Sequence, residues 1–500
     1  MRSRAVSNAR WIAVSRVVSV GIQLLSVMWL ARLLTPTDYG VVAMALVVTN
    51  LATLVRDMGT GLALIQKEDL NEDTILTAFW FTLGLGSVLG IVVVGLAPLM
   101  ALAFDAPAVT GVLWVLAVTF PLLGSTTVHQ ALLERNSRFP LLARIEAVSA
   151  VSGLSAAVSA AYLGAGPYSL ALSSLTYAVV SSIQLWLASP LRPHWLWSRD
   201  ELRGIRRFSD YLVGFNIINY FSRNADSMII GRMLGADSLG LYSLAYKIML
   251  FPLRNLTFVA ARALYPVMSR QQAAPQEMAE LYLRTLAVIA FVTAPMMAGL
   301  FVLRDLFIAV LLGSKWLAMS GVLAWLAPIG FIQSLTSTTG SVLMARGRTD
   351  VLFYLGVIGT IMVVTAFLIG AQWGVVGVAA GYCIQNVVEF IPVFYIVFRE
   401  LGQGLPRFFR TILVPMALTG VMVLVVLAGK ALLPLGGLPA AAQLVVLALV
   451  GAATYAALGF AFARQSFQDV FRFFRRRREA SLLPETMPGA DGFTRGERAP

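Results

Sequence analysis

Long runs of apolar residues recur along the whole chain and are separated by short polar turns. A transmembrane helix needs about 20 mostly apolar residues to cross the hydrocarbon core of a bilayer. The pattern predicts fourteen such spans, at 10–34, 39–63, 74–97, 108–132, 141–164, 167–189, 208–235, 240–264, 282–303, 321–343, 351–370, 374–397, 408–429 and 439–463. It therefore predicts an all-α polytopic membrane protein with about fourteen transmembrane helices.

The span 208–235 departs from the apolar pattern on one face. It carries four polar residues at steps of three or four positions: Asn216, Asn219, Arg223 and Asp226. These steps place the four side chains on one side of a helix. A charge that faces lipid costs at least about 2.5–3.5 kcal/mol at the bilayer centre, so this face is expected to contact protein or water. The following span carries Lys247 and Arg254, which also share a face.

This region has a counterpart two hundred positions earlier in the chain. The segment IIGRMLGADSLGLYSLA (229–245) aligns with WLARLLTPTDYGVVAMA (29–45), which pairs Gly40 with Gly240. The same shift places a second polar series under the stripe of the later span: Arg16, Ser19, Gln23 and Ser26. An internal repeat of this kind is a common way to build a transporter.

The repeat predicts how the chain is divided. Six spans precede a basic linker, so both copies enter the membrane from the same side, and the two lobes are expected to be parallel repeats with the substrate path between them. The last two spans have no counterpart and are expected to pack outside the repeat. The predicted parts are an N-lobe at 1–189, a cytoplasmic basic linker at 190–207, a C-lobe at 208–397, two extra helices at 408–463, and a basic tail at 464–500 with a disordered end.

Composition excludes several other classes of protein. Apolar residues make up 58% of the chain and charged residues 13%, and the mean hydropathy is +0.79, values typical of a polytopic membrane protein. A single cysteine, Cys383, and two histidines predict neither a disulfide framework nor a metal site. The loops are too short for a soluble catalytic domain, so the chain is not expected to be an enzyme or to need a cofactor.

The net charge of +13 is better explained by membrane topology than by nucleic-acid binding. With the N-terminus inside, roughly 28 of the 38 basic residues fall in cytoplasmic segments or the tail, as the positive-inside rule predicts. Both termini are therefore expected in the cytoplasm. The basic, aromatic segment RQSFQDVFRFFRRRREA (464–480) suits contact with anionic lipid.

Several segments taken in order resemble a known transporter family. They are RLLTPTDYG (32–40), RDMGTGLALIQKEDLNEDTILTAFW (56–80), the block at 207–272, LGSKW (312–316) and ARGRTD (345–350). Together they resemble the polysaccharide exporters and lipid-linked oligosaccharide flippases, in the colanic-acid-type exporter branch of the multidrug, oligosaccharidyl-lipid and polysaccharide transporter superfamily. The resemblance covers roughly 10–465 in order.

The resemblance implies both a fold and a cargo. The fold would have two six-helix lobes and two extra helices. The cargo would be an undecaprenyl-diphosphate-linked oligosaccharide, moved from cytoplasm to periplasm across the bacterial inner membrane and driven by an H⁺ or Na⁺ gradient. Expected partners are this substrate, membrane lipid and other polysaccharide assembly proteins, with no nucleic acid.

Cations inside predicted spans are the candidates for holding the diphosphate. Arginine suits phosphate because its planar fork donates paired hydrogen bonds. The candidates are Arg16, Arg56, Arg223, Lys247 and Arg254. Candidate polar or sugar-facing residues are Asn216, Asn219 and Tyr220, and candidate ion-coupling carboxylates are Asp57, Asp226 and Glu389.

Structural roles compete with these assignments. Arg56 beside Asp57, and Arg223 three residues from Asp226, could be ion pairs that keep buried charges satisfied. Alternative functions also stay open: a multidrug or cation antiporter of the same superfamily, a peptidoglycan-precursor flippase, or a membrane glycosyltransferase or polymerase. The last would need a sizeable periplasmic loop, which the pattern does not contain.

Overall fold

The computed structural model describes residues 21, 23, 25–56, 60–67, 70–253, 264, 267–269, 274–434, 437–462 and 464. Within these ranges the chain is built from helices and short connections, without a β-strand. Residues 25–33 are helical and lead into the first complete helix.

The complete helices follow the predicted spans closely. They are α1 (Pro36–Arg56), α2 (Thr60–Gln66), α3 (Glu72–Phe104), α4 (Ala108–Ala117), α5 (Thr119–Arg135), α6 (Phe139–Tyr162), α7 (Tyr168–Ala188), α8 (Arg199–Pro252), α9 (Pro275–Leu311), α10 (Ser320–Thr336), α11 (Thr339–Ala345), α12 (Thr349–Gly370), α13 (Gly374–Glu400), α14 (Leu405–Leu432) and α15 (Ala440–Phe462). Ten described helical segments are long and apolar enough to cross a membrane. The chain is thus an all-helical, multi-pass membrane protein, while the count of fourteen spans stays a prediction.

Local chemistry sets several of the helix boundaries. The Asn71 side chain accepts a hydrogen bond from the Thr74 amide and so caps the start of α3. Ser198 caps α8 in the same way. Within α8 the helical conformation is interrupted at Gly235, whose φ of 82° lies in a region that side chains with a Cβ rarely adopt. This break falls at the last residue of the span predicted at 208–235, just before the span predicted at 240–264.

The two halves of the proposed sequence repeat meet at a close helix crossing, formed by Pro36, Gly40, Ala236 and Gly240. A Cβ on Gly40 would lie 1.7 Å from the Ala236 carbonyl oxygen, and a Cβ on Gly240 would lie 1.8 Å from the Pro36 carbonyl oxygen. Positions two hundred residues apart therefore make reciprocal contacts. Small residues at a helix interface allow this close backbone approach.

A second group of contacts closes the same end of the molecule. The Arg32 guanidinium donates to the carbonyl oxygens of Leu311 and Val310, which end α9. In return, the Lys315 ammonium donates to the Arg32 carbonyl at 2.9 Å, and the Trp316 indole donates to the Ala31 carbonyl at 2.7 Å. We call these contacts the Arg32 cluster. It ties the segment before α1 to the end of α9.

The predicted basic linker is fastened to the first part of the chain. The Glu201 carboxylate accepts from the Lys67 ammonium at 2.6 Å and from the Thr74 hydroxyl at 2.8 Å. These two hydrogen bonds hold the pKa of Glu201 below its usual value. The Trp80 indole also donates to the His194 carbonyl at 2.9 Å. The segment 192–201 is therefore held against the first part of the chain by these hydrogen bonds.

Candidate functional site

A large cavity lies among the helices that the repeat relates. Its volume is about 1790 Å³, above the roughly 300–1,000 Å³ of pockets for drug-sized ligands. Its wall is formed by helical residues before Pro36 and by α1, α4, α5, α6, α7, α8, α9, α14 and α15. The size suits a cargo much larger than a single small molecule.

Positions two hundred residues apart line this cavity together. The pairs include Gln23 with Arg223, Ser26 with Asp226, Val42 with Tyr242, Leu46 with Tyr246, and Val47 with Lys247. The proposed repeat thus identifies equivalent wall positions. Their chemistry differs, because the second copy carries charged and aromatic side chains where the first carries neutral and mostly aliphatic ones.

Two predicted cations face the cavity from α8. The side chains of Arg223 and Lys247 are both exposed there. Within the described part of the chain the Arg223 guanidinium makes no hydrogen bond or ion pair. The Lys247 ammonium lies 6.0 Å from the centre of the Tyr39 ring, at the outer limit of a cation–π contact.

Asp226 is buried at the edge of this basic wall. One carboxylate oxygen accepts from the Ser227 amide at 2.6 Å and from the Ser227 hydroxyl at 3.2 Å. The ion pair with Arg223 that the sequence allowed is not present among the described contacts. Tyr242 is buried beside Asp226 and also lines the cavity.

A second part of the wall comes from α6 and α7, which pack against each other. Its polar residues are Glu146, Ser173, Ser174 and Tyr177. Gly153 allows the two helices to approach, because a Cβ there would lie 2.8 Å from the Ser173 carbonyl oxygen. This polar patch was not among the candidate site residues from the sequence.

The third part of the wall is apolar and comes largely from α9, α14 and α15. Its members include Met296, Leu300, Leu303, Met422, Val426, Leu444, Leu447 and Ala448. The Tyr455 hydroxyl of α15 donates to the Phe291 carbonyl of α9 at 2.8 Å, which holds α15 in place. The last two helices pack on α9 and complete the cavity wall. Their position outside the sequence repeat stays a prediction.

Other candidates lie away from the described cavity wall. Arg56 is in the last turn of α1 and does not line the cavity. Tyr220 is buried and its hydroxyl donates to the Val47 carbonyl, so the structure does not support a sugar-facing role for it here. Arg16, Asp57 and Arg254, together with the side chains of Asn216 and Asn219, lie outside the described residues.

Glu389 lies between α12 and α13, also outside the cavity wall. A Cβ on Gly359 would lie 2.8 Å from a Glu389 carboxylate oxygen, so this glycine makes room for the carboxylate. The carboxylate accepts from Gln385, whose amide oxygen accepts from Asn386. Asn386 donates to the Tyr382 backbone carbonyl at 2.9 Å, and the Tyr382 ring lies 6.3 Å from the ring of the cavity residue Tyr246. Contacts through Asn386 and Tyr382 therefore link Glu389 with the cavity wall.

The residues that sequence reasoning missed share one property. Tyr246, Tyr177 and Tyr382 lie within apolar runs and resemble ordinary core or membrane residues. Tyr242 and Tyr246 are four residues apart and stack with ring centroids 5.8 Å apart, and the structure places both in the cavity wall. Within the described residues no group of three metal-ligating side chains occurs.

Comparison with known proteins gives the relationships of this chain. Residues 29–321 match the family model described as polysaccharide biosynthesis protein. The chain is 26% identical to the lipopolysaccharide biosynthesis protein WzxC of Escherichia coli (strain K12), over 84% of this chain and 86% of that protein. It is 27% identical to the succinoglycan biosynthesis transport protein ExoT of Rhizobium meliloti (strain 1021), over 78% and 80%.

Among solved structures, the lipid II flippase MurJ in an inward closed conformation has the same fold. The two superpose with a TM-score of 0.72, covering 91% of this chain and 98% of that one, at 14% identity. The helix arrangement described above is therefore the fold of that structure.

Proposed function

This chain belongs to the polysaccharide biosynthesis protein family, and on that premise we propose that it moves a lipid-linked oligosaccharide across the membrane. The cargo is an undecaprenyl-diphosphate-linked repeat unit for exopolysaccharide or lipopolysaccharide synthesis. Support comes from the relatives that act in polysaccharide biosynthesis and transport, combined with a transporter fold. The protein acts as a flippase and has no catalytic role of its own.

The observation that carries this proposal is the division of one cavity wall into basic and apolar parts. Arg223 and Lys247 offer donors to a diphosphate, while α9, α14 and α15 offer an apolar surface to the adjoining lipid chain. A lipid-linked substrate carries these two chemistries side by side. A soluble sugar would not need the apolar part.

The charge distribution along the sequence supports an orientation for this protein, in which the cargo moves from the cytoplasm to the periplasm. With both termini in the cytoplasm, the Arg32 cluster and the Gly40–Gly240 crossing lie on the periplasmic side. The N-lobe and C-lobe then rock against each other, and this crossing separates when the outer end opens. Their motion closes the inner entrance around the bound head group and opens the outer end. The membrane is the bacterial inner membrane, and other polysaccharide assembly proteins supply and consume the substrate.

Transport in a flippase-deficient strain tests the proposal. The strain is given the cognate glycosyltransferases, and lipid-linked repeat units are assayed on each face of the inner membrane. We expect units to accumulate inside without the protein and to reach the periplasm with it. An unchanged distribution, together with efflux of cationic dyes, would instead support a multidrug antiporter.

We assign the coupling ion, H⁺ or Na⁺, to Asp226, because this carboxylate is buried at the cavity edge beside the buried Tyr242. Glu389, connected to the cavity through Tyr382, is the second candidate. Asp57, the third, lies outside the described residues.

An Asp226→Asn variant tests this assignment in proteoliposomes. It removes the charge at almost unchanged volume, so transport is expected to lose its response to an imposed ion gradient while substrate binding persists. Glu389→Gln is the comparison. If transport by Asp226→Asn still responds to the ion gradient and transport by Glu389→Gln does not, the coupling ion binds at Glu389.

A further inference from the structure

The polar patch on α6 and α7 has a function that diphosphate binding does not explain, and its members include Glu146, Ser173 and Tyr177. Glu146 lies on the α6 face that also presents Ala150 and Gly153 to the cavity. Tyr177 is on the neighbouring helix α7, and its Cβ would lie 3.5 Å from a Cβ on Gly153 of the Glu146 helix. A carboxylate in this place repels phosphate, so the patch needs another ligand.

Three polar groups of the patch are available to bind a ligand. Within the described residues the Glu146 carboxylate and the Ser173 and Tyr177 hydroxyls make no hydrogen bond or ion pair. Glu146 is exposed, and Tyr177 has 37% of its side chain accessible. An ionised carboxylate only accepts hydrogen bonds, whereas each hydroxyl both donates and accepts. The set therefore suits a ligand with several neighbouring hydroxyl groups.

The aromatic ring adds a second feature of carbohydrate recognition. The exposed face of Tyr177 offers an apolar surface with a polar tip, on which the C–H face of a sugar ring can pack. Gly153 keeps α6 and α7 close, which holds Ser173 and Tyr177 beside the helix of Glu146.

The two polar walls face a single cavity from different helices. Arg223 and Lys247 are on α8, which packs extensively on α1, whereas Glu146 and Tyr177 are on the paired helices α6 and α7. A ligand with an anionic end and a hydroxyl-rich end is complementary to such a charge division.

We infer that Glu146, Ser173 and Tyr177 form the subsite that binds the sugar next to the diphosphate and selects a neutral, hydroxyl-rich ring over an acidic one. This inference rests on the proposed function, since it assumes a lipid-linked oligosaccharide. Glu146 accepts from sugar hydroxyls, and its charge repels a uronic acid. Specificity thus comes from the α6–α7 wall, and affinity for the head group from α8.

Binding of three probes to the purified full chain tests the subsite. The probes are undecaprenyl diphosphate, undecaprenyl diphosphate bearing a neutral hexose, and the same lipid bearing a hexuronic acid. We expect Glu146→Gln to weaken binding of the hexose probe about tenfold, as loss of a hydrogen bond to a charged group does, and to change binding of the sugar-free lipid less than about twofold. The same variant should reduce the difference in affinity between the hexose probe and the uronic acid probe.

Three further variants keep the result interpretable. Tyr177→Phe removes one hydroxyl of the patch and should weaken only sugar-bearing probes, and Ser173→Ala provides a second such variant if Glu146→Gln does not fold. Arg223→Gln should weaken all three probes alike. Tyr162→Phe removes an exposed hydroxyl at the end of α6, outside the cavity wall, and should change none.

The outcomes separate this inference from the proposed function. If Glu146→Gln and Tyr177→Phe leave the hexose probe unaffected, or weaken the sugar-free lipid equally, the sugar subsite is wrong while the flippase proposal stands. If the wild-type protein binds none of the three probes, the proposed function fails and the inference fails with it.

Discussion

Replacing Arg223 with glutamate is expected to reduce transport of the lipid-linked substrate at least about a hundredfold. A hydrogen bond to a charged group contributes about 1.5–3 kcal/mol, and each 1.4 kcal/mol is a factor of ten in binding. The reversal removes these bonds and adds repulsion between two anions. Because the Arg223 side chain is exposed and makes no hydrogen bond or ion pair within the described residues, the fold should tolerate the change.

Transport of repeat units to the periplasmic face measures this effect, with the amount of membrane protein determined in parallel. Arg223→Lys keeps the charge but loses the planar fork, so it should retain part of the activity. Arg232→Glu is the matched control, because Arg232 is exposed on the same helix and does not line the cavity. Normal transport by Arg223→Glu would show that Arg223 does not bind the head group.

Replacing Gly40 with alanine is expected to prevent closure of the Gly40–Gly240 crossing and to slow transport at least about tenfold. The added Cβ would lie 1.7 Å from the Ala236 carbonyl oxygen. Ordinary contact needs about 3.5 Å, so the two backbones must separate by about 2 Å. Such separation also disturbs the nearby Arg32 cluster, and the protein should favour the state that is open at this end.

A cysteine introduced at Leu34 reports on this state, since Leu34 is only 2% exposed in the closed structure. Labelling by a membrane-impermeant maleimide should be at least about tenfold faster in Gly40→Ala than in the parent carrying the same cysteine. Gly84→Ala on α3 is the control, because a Cβ there meets no atom within 4 Å. Slow labelling with normal transport in Gly40→Ala would show that the crossing adapts and does not hold the closed state.

The contribution of tertiary structure is clearest for residues that have similar sequence contexts but different environments in the fold. Tyr220 and Arg223 are three residues apart on one helix and are both candidate site residues, yet Tyr220 is buried against the Val47 carbonyl and Arg223 faces the cavity. Glu146 and Glu389 are both single carboxylates within apolar spans. Packing brings Glu146 to the cavity wall and places Glu389 beside Gly359.

The two C-terminal helices also show that sequence patterns do not reveal which surface a helix contacts. Their apolar composition predicted membrane spans, and the structure confirms helices at Leu405–Leu432 and Ala440–Phe462. Nothing in an apolar run distinguishes a surface that faces lipid from one that lines a cavity. Only contact with α9 shows that these helices form part of the site.

The sequence by itself determined the all-helical membrane fold, most helix positions and the equivalence of positions two hundred residues apart. These features depend on local periodicity and composition, which a bilayer constrains strongly because every backbone polar group must be paired within it. The sequence also named Arg223 and Lys247 among five candidate cations, and the structure placed these two at the cavity. Tertiary structure alone decided which faces meet: the contacts at Gly40 and Gly240, the apolar wall from α14 and α15, and the patch at Glu146 and Tyr177. These features depend on how helices distant in sequence orient towards one another, which periodicity within a single helix does not encode.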